Sequence, residues 1–434
     1  VILKRVLIIS PNFPPVNSAD MHRVRQSVGY FQEMGWVPTV VMVDPAFSEY
    51  KQDPLLMHTL PEDLEIIQVK AFSTRWTRKF GLGSLGFRSL WFYYHTVNHL
   101  LRRQKYDLIY FSTTMFPVLI LGAHWKRQFQ IPYVIDMQDP WHSEYYQNKP
   151  KHEQPPKYWF SYRLNKYLEP VAMHSVDGII SVSPAYNPML QERYPNIRPE
   201  DCTVIPFGAF EKDREVLERA LILNPLFESG SSAFIRVAYV GRAGHDMRAS
   251  LTQLFRAFRL GLHQKPELFT KVRMYFVGTD YAPDHLSKKT VLPVAQQEGV
   301  QEYVVEHSPR VPYFTGLKIL ADADMLVMPG SDDPKYTASK LYPYIMARKP
   351  LLAIFRHTSS VIQVLNDTQA GRTVAFDDGQ DVTEDLYQVW IELLQRLPFT
   401  PSTRWEAFEP YTAREMTRKQ VRFFNQIVAK TTHS

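Results

Sequence analysis

Val6-Leu7-Ile8-Ile9 is an uninterrupted apolar run that stops at Ser10-Pro11, with Pro14-Pro15 just beyond. A strand apolar on every residue must be covered on both faces, as in a parallel sheet flanked by helices. A helical stretch follows from about Asp20 to Met34, where Gly35 supplies a stop signal, and Val37 to Val43 is a second apolar run. Later runs at Leu64–Val69, Leu108–Phe111, Tyr133–Asp136 and Gly178–Val182 continue the alternation as far as Val204-Ile205-Pro206. The pattern then restarts at Arg236–Val240 and continues through Lys271–Val277, Tyr303–Val305, Met325–Met328, Leu351–Ile354 and Arg372–Val374. Two successive strand–helix alternations predict an α/β chain of two doubly wound, Rossmann-like parallel-sheet domains facing across a cleft. We expect a first domain at 1–210, a linker helix and loop at 211–233, and a second domain at 234–404. A final segment, 405–434, should cross the junction. The length, 434 residues, suits two such domains.

Composition narrows the class. The chain is 45% hydrophobic and 22% charged, which excludes disordered and coiled-coil readings. A single cysteine, Cys202, excludes an intramolecular disulfide and fits a reducing compartment. The start of the sequence lacks the order of a cleavable signal. Leu108 to Trp125 contains no Lys, Arg, Asp or Glu, but Ser112, Thr113, Thr114 and Pro117 interrupt it, so a strand, turn and helix start explain it better than a span. The formal charge of +6 is concentrated: residues 66–106 hold eight basic residues and no acid, interleaved with Phe72, Trp76, Trp91 and other aromatics. Arg75, Trp76, Arg78 and Lys79 form its densest part. They read either as solvated helix faces above an aromatic core, or as a surface for an acceptor or anionic membrane. No nucleic-acid motif accompanies them, so nucleic acid is not an expected partner.

Ligands of open parallel sheets bind beyond the carboxyl ends of the strands. After the first strand, Asn17, Ser18 and Asp20 read as helix caps or as part of an anion-binding loop. After the strand at Tyr133, the residues Asp136, Gln138, Asp139, Trp141, His142 and Glu144 fall within nine positions, suiting either a turn around a buried indole or a sugar-hydroxyl site. In the second half, Gly241-Arg242-Ala243-Gly244-His245-Asp246-Met247-Arg248 places two guanidinium groups where they could clamp a diphosphate, or merely face solvent. Ser339-Lys340-Leu341-Tyr342 opens a later helix and offers a hydroxyl and an ammonium to the same anion. Asp332 and Asp333 are acceptors or turn caps.

With these residues in place, the sequence resembles the GT-B glycosyltransferases, specifically the retaining, nucleotide-sugar-dependent group (family 4-like) that builds bacterial polysaccharides. The resemblance rests on the order of the Pro14-Pro15 loop, Met21-His22-Arg23-Val24, Asp136-Met137-Gln138-Asp139-Pro140-Trp141, Val204-Ile205-Pro206-Phe207-Gly208, Val240-Gly241-Arg242, and Ser339-Lys340-Leu341-Tyr342 with Lys349-Pro350. It implies that Arg242 and Arg248 neutralise the donor pyrophosphate and that Asp139 lies beside the transferred sugar. Asn17, Ser18, Gly241, Ser339, Lys340, Leu341 and Tyr342 would line the donor, while His142 and the Arg75–Lys79 stretch would meet acceptor or membrane. The donor would be a nucleotide-sugar, a UDP-sugar above others, used as co-substrate with no cofactor and no metal. The acceptor would be a glycan or lipid-linked sugar, and the enzyme a metal-independent hexosyl-type transferase on the cytoplasmic face of the inner membrane. The sequence also departs from the group. Pro343 replaces a ribose-binding Glu, Lys335 stands near the place of its partner acid, and Gln138 replaces an Arg. Phe207 replaces an Asn, and Asn17-Ser18 replaces a Gly-Gly pair. Those departures keep two alternatives in view: a non-catalytic GT-B sugar-binding protein, and a nucleotide-sugar epimerase.

Overall fold

The computed structural model describes residues 3–142, 147, 151, 158–227, 233–280, 282, 284–332 and 339–432. It divides into two compact units, one of Val1–Gly208 with Ala413–Ser434 and one of Ala209–Thr412. The first contains a seven-stranded parallel sheet of β1 (Lys4–Ile9), β2 (Trp36–Val43), β3 (Glu65–Val69), β4 (Leu108–Ser112), β5 (Tyr133–Met137), β6 (Gly178–Ser181) and β7 (Cys202–Val204), in the order β3-β2-β1-β4-β5-β6-β7. The second contains a six-stranded parallel sheet of β8 (Ile235–Val240), β9 (Val272–Val277), β10 (Val304–His307), β11 (Met325–Pro329), β12 (Leu351–Arg356) and β13 (Arg372–Phe376), in the order β10-β9-β8-β11-β12-β13. In each sheet the winding direction reverses once, between β1 and β4 and between β8 and β11. Those reversals are where a doubly wound sheet opens a crevice for ligand.

The central strands are buried as their unbroken apolar runs predict: Val6 through Ile9 and Leu108 through Phe111 have no exposed surface. Helices cover them through periodic apolar faces. Leu251, Leu254, Phe255 and Phe258 put one side of the helix Arg248–Gln264 into the second core. Leu85–Arg103 starts at Ser84, whose hydroxyl accepts from the Phe87 amide, and ends with Arg102 and Arg103 beside the negative end of the helix dipole. The uncharged stretch from Leu108 supplies β4, a short 3-10 turn and the start of the helix Ile120–Phe129. Among the described residues, no helix is long and apolar enough to cross a membrane.

Two differences from the sequence reading have physical causes. Strand β7 is absent from the sequence expectation because three residues at a sheet edge carry too little periodicity to register. The segment expected as a linker groups with the second unit. There, Asp213 accepts from the Tyr313 hydroxyl at 2.7 Å, Asn224 donates to Asp322 at 3.0 Å, and Phe227 enters the core. Its Gly-Ser-Ser portion lies outside the described residues. The last segment splits: Phe408 packs in the second core, while the helix Ala413–Thr432 packs on the first unit.

That helix is bound by a buried aromatic contact. The Phe424 ring lies 6.0 Å from Phe31, 5.6 Å from Trp36 and 5.0 Å from Tyr110. Gly178 of β6 admits it closely, since a Cβ there would stand 2.9 Å from Phe423 and Ile427. Arg414 with Glu33 and Lys430 with Asp201 add ion pairs at the helix ends. We expect Phe424→Ala to destabilise the first unit by about 3–5 kcal/mol. A lowered urea midpoint for that unit's unfolding transition is the corresponding measurement, and an unchanged midpoint would contradict this account of the helix.

Candidate functional site

In the first unit the polar residues gather at the ends of β1, β4 and β5 around two buried carboxylates. Asp20 accepts from Asn12 Nδ2 at 3.2 Å, Ser18 Oγ at 2.5 Å, Thr113 Oγ1 at 3.0 Å and the Thr114 amide at 3.1 Å. This alters the expected role of the loop. The helix His22–Phe31 begins at Met21 with no side-chain cap, because Asp20 and the Ser18 hydroxyl are committed to each other and Asp20 reaches on to the loop after β4. Asn17 is half-buried and its amide donates to the Lys51 carbonyl at 2.9 Å.

Asp136, at the end of β5, accepts from Arg23 Nε at 3.2 Å, Ser112 Oγ at 3.0 Å and Gln138 Nε2 at 3.1 Å. Arg23 also donates to the carbonyls of Pro206 and Ile205, and its guanidinium lies 4.8 Å from the Phe207 ring centre. A buried carboxylate needs a cation or several donors, and Asp136 has both. Gln138 therefore fills a hydrogen-bonding position while Arg23, from another element, supplies the charge. Phe207 provides the flat surface beneath it.

Asp139 lies just past this cluster and keeps surface exposure. Lost hydration from the surrounding protein, and then the charge of Asp20, push its carboxyl up to about 6. His142 is buried, with its ring 4.8 Å from Tyr162; its amide donates to Glu169 Oε2 at 2.8 Å, and its carbonyl accepts from Arg193 at 3.3 Å. It is built into a cluster around the buried Glu169. Glu144 lies outside the described residues.

The second unit gathers cations. Gly241, just after β8, has φ of 148°, and a Cβ on it would stand 2.3 Å from Lys340 Nζ, so only glycine lets the ammonium cross the strand end there. Lys340 Nζ donates to the Tyr239 hydroxyl at 3.1 Å and approaches the Arg242 carbonyl at 3.4 Å. Loss of hydration, the positive charge of Arg242 and that of Arg310 lower its ammonium to about 7, against a raising contribution from Asp246. Arg242 makes a fork-to-fork pair with Asp246, Nη1 to Oδ1 and Nη2 to Oδ2 both at 2.7 Å. Arg248 does not join them: it is exposed and donates to Gln297 Oε1 at 2.7 Å. Ser339 is half-buried beside Lys340. The side chains of Leu341 and Tyr342 lie in the core, Tyr342 stacking 6.0 Å from Tyr411, so only their backbone is placed to meet a ligand. Pro343 occupies the first turn of the short helix Leu341–Met346, where a missing N–H costs little. Tyr344 ties that helix to β8 by accepting from the Val240 amide at 2.7 Å. Asp332 is exposed, and its amide donates to the Asp246 carbonyl at 2.8 Å. Asp333 and Lys335 lie outside the described residues.

Sequence reasoning did not single out Asp246, Ser331, Tyr239 or Arg310 for this site. Asp246 stands four residues after Arg242, the one local signal that could have paired them, whereas Arg310 comes from the loop after β10 and is brought in only by the fold. Among the described residues, no group of three or more His, Cys, Asp or Glu could hold a metal ion.

The basic stretch of the first unit divides by burial. Arg88 is internal and donates to the carbonyls of Gly83, Phe72 and Phe47. Arg75, Trp76, Arg78 and Lys79 are exposed, Trp76 to 69%. Arg78 pairs with Glu49 at 3.0 Å, and Lys79 Nζ lies 5.5 Å from the Trp76 ring centre. Phe72 and Trp91 are also exposed and 6.3 Å apart.

Residues 23–209, most of the first unit, match the family model Glycosyltransferase Family 4. No curated protein matches the chain in sequence. Several solved structures share its fold over nearly the whole length. HepE from Anabaena, solved with UDP and glucose, is 16% identical, with 99% of each chain covered and a TM-score of 0.54. A glycosyltransferase from Rickettsia africae is 12% identical, with 98% of this chain and 99% of that one covered and a TM-score of 0.57. The UDP-forming α,α-trehalose-phosphate synthase of Burkholderia vietnamiensis is 11% identical, with 99% and 100% covered and a TM-score of 0.51. The two-sheet architecture is therefore the GT-B glycosyltransferase fold.

Lys340 gives the cation cluster a pH signature. Sulfate keeps its charge between pH 6 and 8, whereas an ammonium near 7 passes from mostly charged to mostly neutral. We expect sulfate affinity to fall by up to about tenfold over that interval. Lys340→Met should abolish most of the pH dependence while lowering affinity at pH 6. A calorimetric titration with the same slope in both proteins would contradict this.

Proposed function

We propose that the chain is a retaining glycosyltransferase. It moves a hexosyl-type sugar from a UDP-sugar to a glycan or lipid-linked acceptor in bacterial cell-surface polysaccharide synthesis. The observation that carries this reading is the placement of Arg242 and Lys340 together at the strand ends where the second sheet reverses. The Family 4 match in the first unit supports it, as do the UDP complexes of proteins with the same fold.

During transfer the bond between the anomeric carbon and the diphosphate oxygen breaks with its electron pair staying on the leaving diphosphate, the acceptor hydroxyl oxygen bonds the anomeric carbon, and the hydroxyl proton passes to the diphosphate. Cations already in place stabilise that developing charge without reorganisation, which makes electrostatics a large part of the rate enhancement. Arg242 and Lys340 take this role, and protein cations supply the countercharge. Arg248, at the mouth of the helix Arg248–Gln264, adds longer-range attraction. Asp139, ionised above about pH 6, accepts hydrogen bonds from sugar hydroxyls. Retention follows the resemblance to the retaining group.

A binding-only reading draws on Pro343, which removes the carboxylate expected to hold the ribose. One panel of UDP, GDP and dTDP separates donor binding from its absence. We expect UDP to raise the melting temperature, by an amount equivalent to about 2.7 kcal/mol at a hundredfold excess over Kd. Arg242→Ala should abolish that shift and leave the nucleotide-free melting temperature nearly unchanged. If no nucleotide stabilises the fold, the transferase reading fails; if UDP binds but no UDP-sugar is consumed with any glycan or lipid-linked acceptor, the binding-only reading replaces it.

The exposed Arg75, Trp76 and Lys79 support a peripheral position on an anionic membrane at the cytoplasmic face. Each basic residue near such a surface contributes about 1 kcal/mol, and a half-inserted indole adds to it. The combined variant Arg75→Glu, Trp76→Ala, Lys79→Glu should lose flotation with phosphatidylglycerol vesicles and keep the UDP-induced thermal shift. Retained flotation would remove this surface from the proposal.

A further inference from the structure

Arg242 does not stand alone at the end of β8. Its guanidinium meets Asp246 through two parallel hydrogen bonds of 2.7 Å, and Asp246 Oδ2 also accepts from Ser331 Oγ at 2.7 Å. The Asp246 carbonyl accepts the Asp332 amide at 2.8 Å. One residue thus fastens the loop after β8 to the loop after β11, the two loops that flank the reversal of the sheet. Gly244 completes the arrangement. A Cβ there would stand 1.9 Å from Arg242 Nη1 and 2.5 Å from Asp246 Oδ1, so glycine is what leaves room for the fork.

We propose that Asp246, itself fixed by Ser331, is a positioning residue that holds the Arg242 guanidinium in the orientation from which it receives the donor diphosphate. The proposal rests on the donor reading above and goes beyond it by assigning a role to residues outside the cation set. Guanidinium has five N–H donors in a fixed plane, and Asp246 takes one from each terminal nitrogen. Fixing those two fixes the direction of the whole plane. The side chain of arginine otherwise carries large rotational freedom that binding would have to remove. Burial opposes ionisation of Asp246, yet the hydrogen bonds from Arg242 and Ser331 hold its carboxyl below the ordinary value, so the pair is ionic at neutral pH.

A carboxylate beside an anion site makes this proposal unusually testable, because charge and orientation predict opposite signs. Asp246→Asn keeps the size of the side chain and removes one negative charge. If charge alone mattered, UDP would bind more tightly to the variant. If Asp246 positions Arg242, UDP should bind about tenfold more weakly by calorimetry, with the nucleotide-free melting temperature nearly unchanged. Ser331→Ala should weaken UDP severalfold in the natural background and add little to Asp246→Asn, since the proposed effect runs through that carboxylate. Arg242→Lys, which keeps the charge and loses the fork, should resemble Asp246→Asn. A folded Asp246→Asn protein that binds UDP as tightly as the natural chain, or more tightly, would overturn the proposal and make Asp246 a competitor of the diphosphate. Should that variant fail to fold, Ser331→Ala decides, and unchanged affinity there overturns the proposal. A natural chain with no affinity for UDP would instead bring down the donor reading, and this inference with it.

Discussion

Both sheets are parallel and covered on both faces, and this burial governs where chemistry can occur in the molecule. Strands such as β1 and β4 expose no part of their central side chains, so the polar groups of these strands gather where they end. At those ends a carboxylate cannot remain desolvated without donors, and it takes them from whichever loops are near. Asp20 draws on the loops after β1 and β4, Asp136 on Arg23 and the ends of β4 and β5, and Asp246 on the loops after β8 and β11. The carboxylates thereby order the loops around each sheet reversal, and any site there inherits their geometry.

The two units use this device to opposite electrostatic ends. Asp20 is satisfied by amide and hydroxyl donors, and its charge is felt at Asp139 after that group's own loss of hydration. That setting favours neutral, hydroxyl-rich ligands, whose O–H groups can donate to carboxylates. In the second unit Asp246 stands beside Arg242 and Lys340, and loss of hydration, with the charges of Arg242 and Arg310, lowers the Lys340 ammonium. An anion entering there gains attraction from Arg242 and Lys340 and eases the repulsion between them. Within the proposed function, this difference in local charge would separate sugar handling in the first unit from phosphate handling in the second.

Much of the fold was legible because burial on two faces writes itself as unbroken apolar runs: β1, β4, β8 and β11 could all be placed from the sequence. Strand β7 could not, since an edge strand of three residues has no pattern. Gly241, Arg242 and Lys340 were legible as residues following strands. Their mutual arrangement was not, because it depends on Lys340 crossing Gly241 and on which arginine finds a carboxylate. Arg242 and Arg248 read alike in sequence, six positions apart, yet a helical turn sends Arg242 to Asp246 and Arg248 to Gln297. Likewise Leu341 and Tyr342 look like a binding motif beside Lys340, but their apolar side chains gain more from the core.

The departures from the family pattern look different once their neighbours are known. Gln138 in place of arginine leaves Asp136 neutralised, because Arg23 reaches it from the helix His22–Phe31. Phe207 in place of asparagine lies beneath that same arginine, so the two substitutions belong to one arrangement. Pro343 belongs to another. The helix it enters is anchored to β8 by the Tyr344 hydroxyl, which bonds both the amide and the carbonyl of Val240, and by the packing of Leu341 and Tyr342. Removing a glutamate from such a helix takes away a hydrogen-bond acceptor for a ligand without loosening the strand end on which Gly241 and Arg242 are mounted. Within the proposed function, the loss would fall on recognition of the ribose and leave the strand end that carries Gly241 and Arg242 in place. Within the proposed function, affinity for the donor then depends more heavily on the cations, and on the carboxylate that orients one of them, than it would in a site with its acid pair intact.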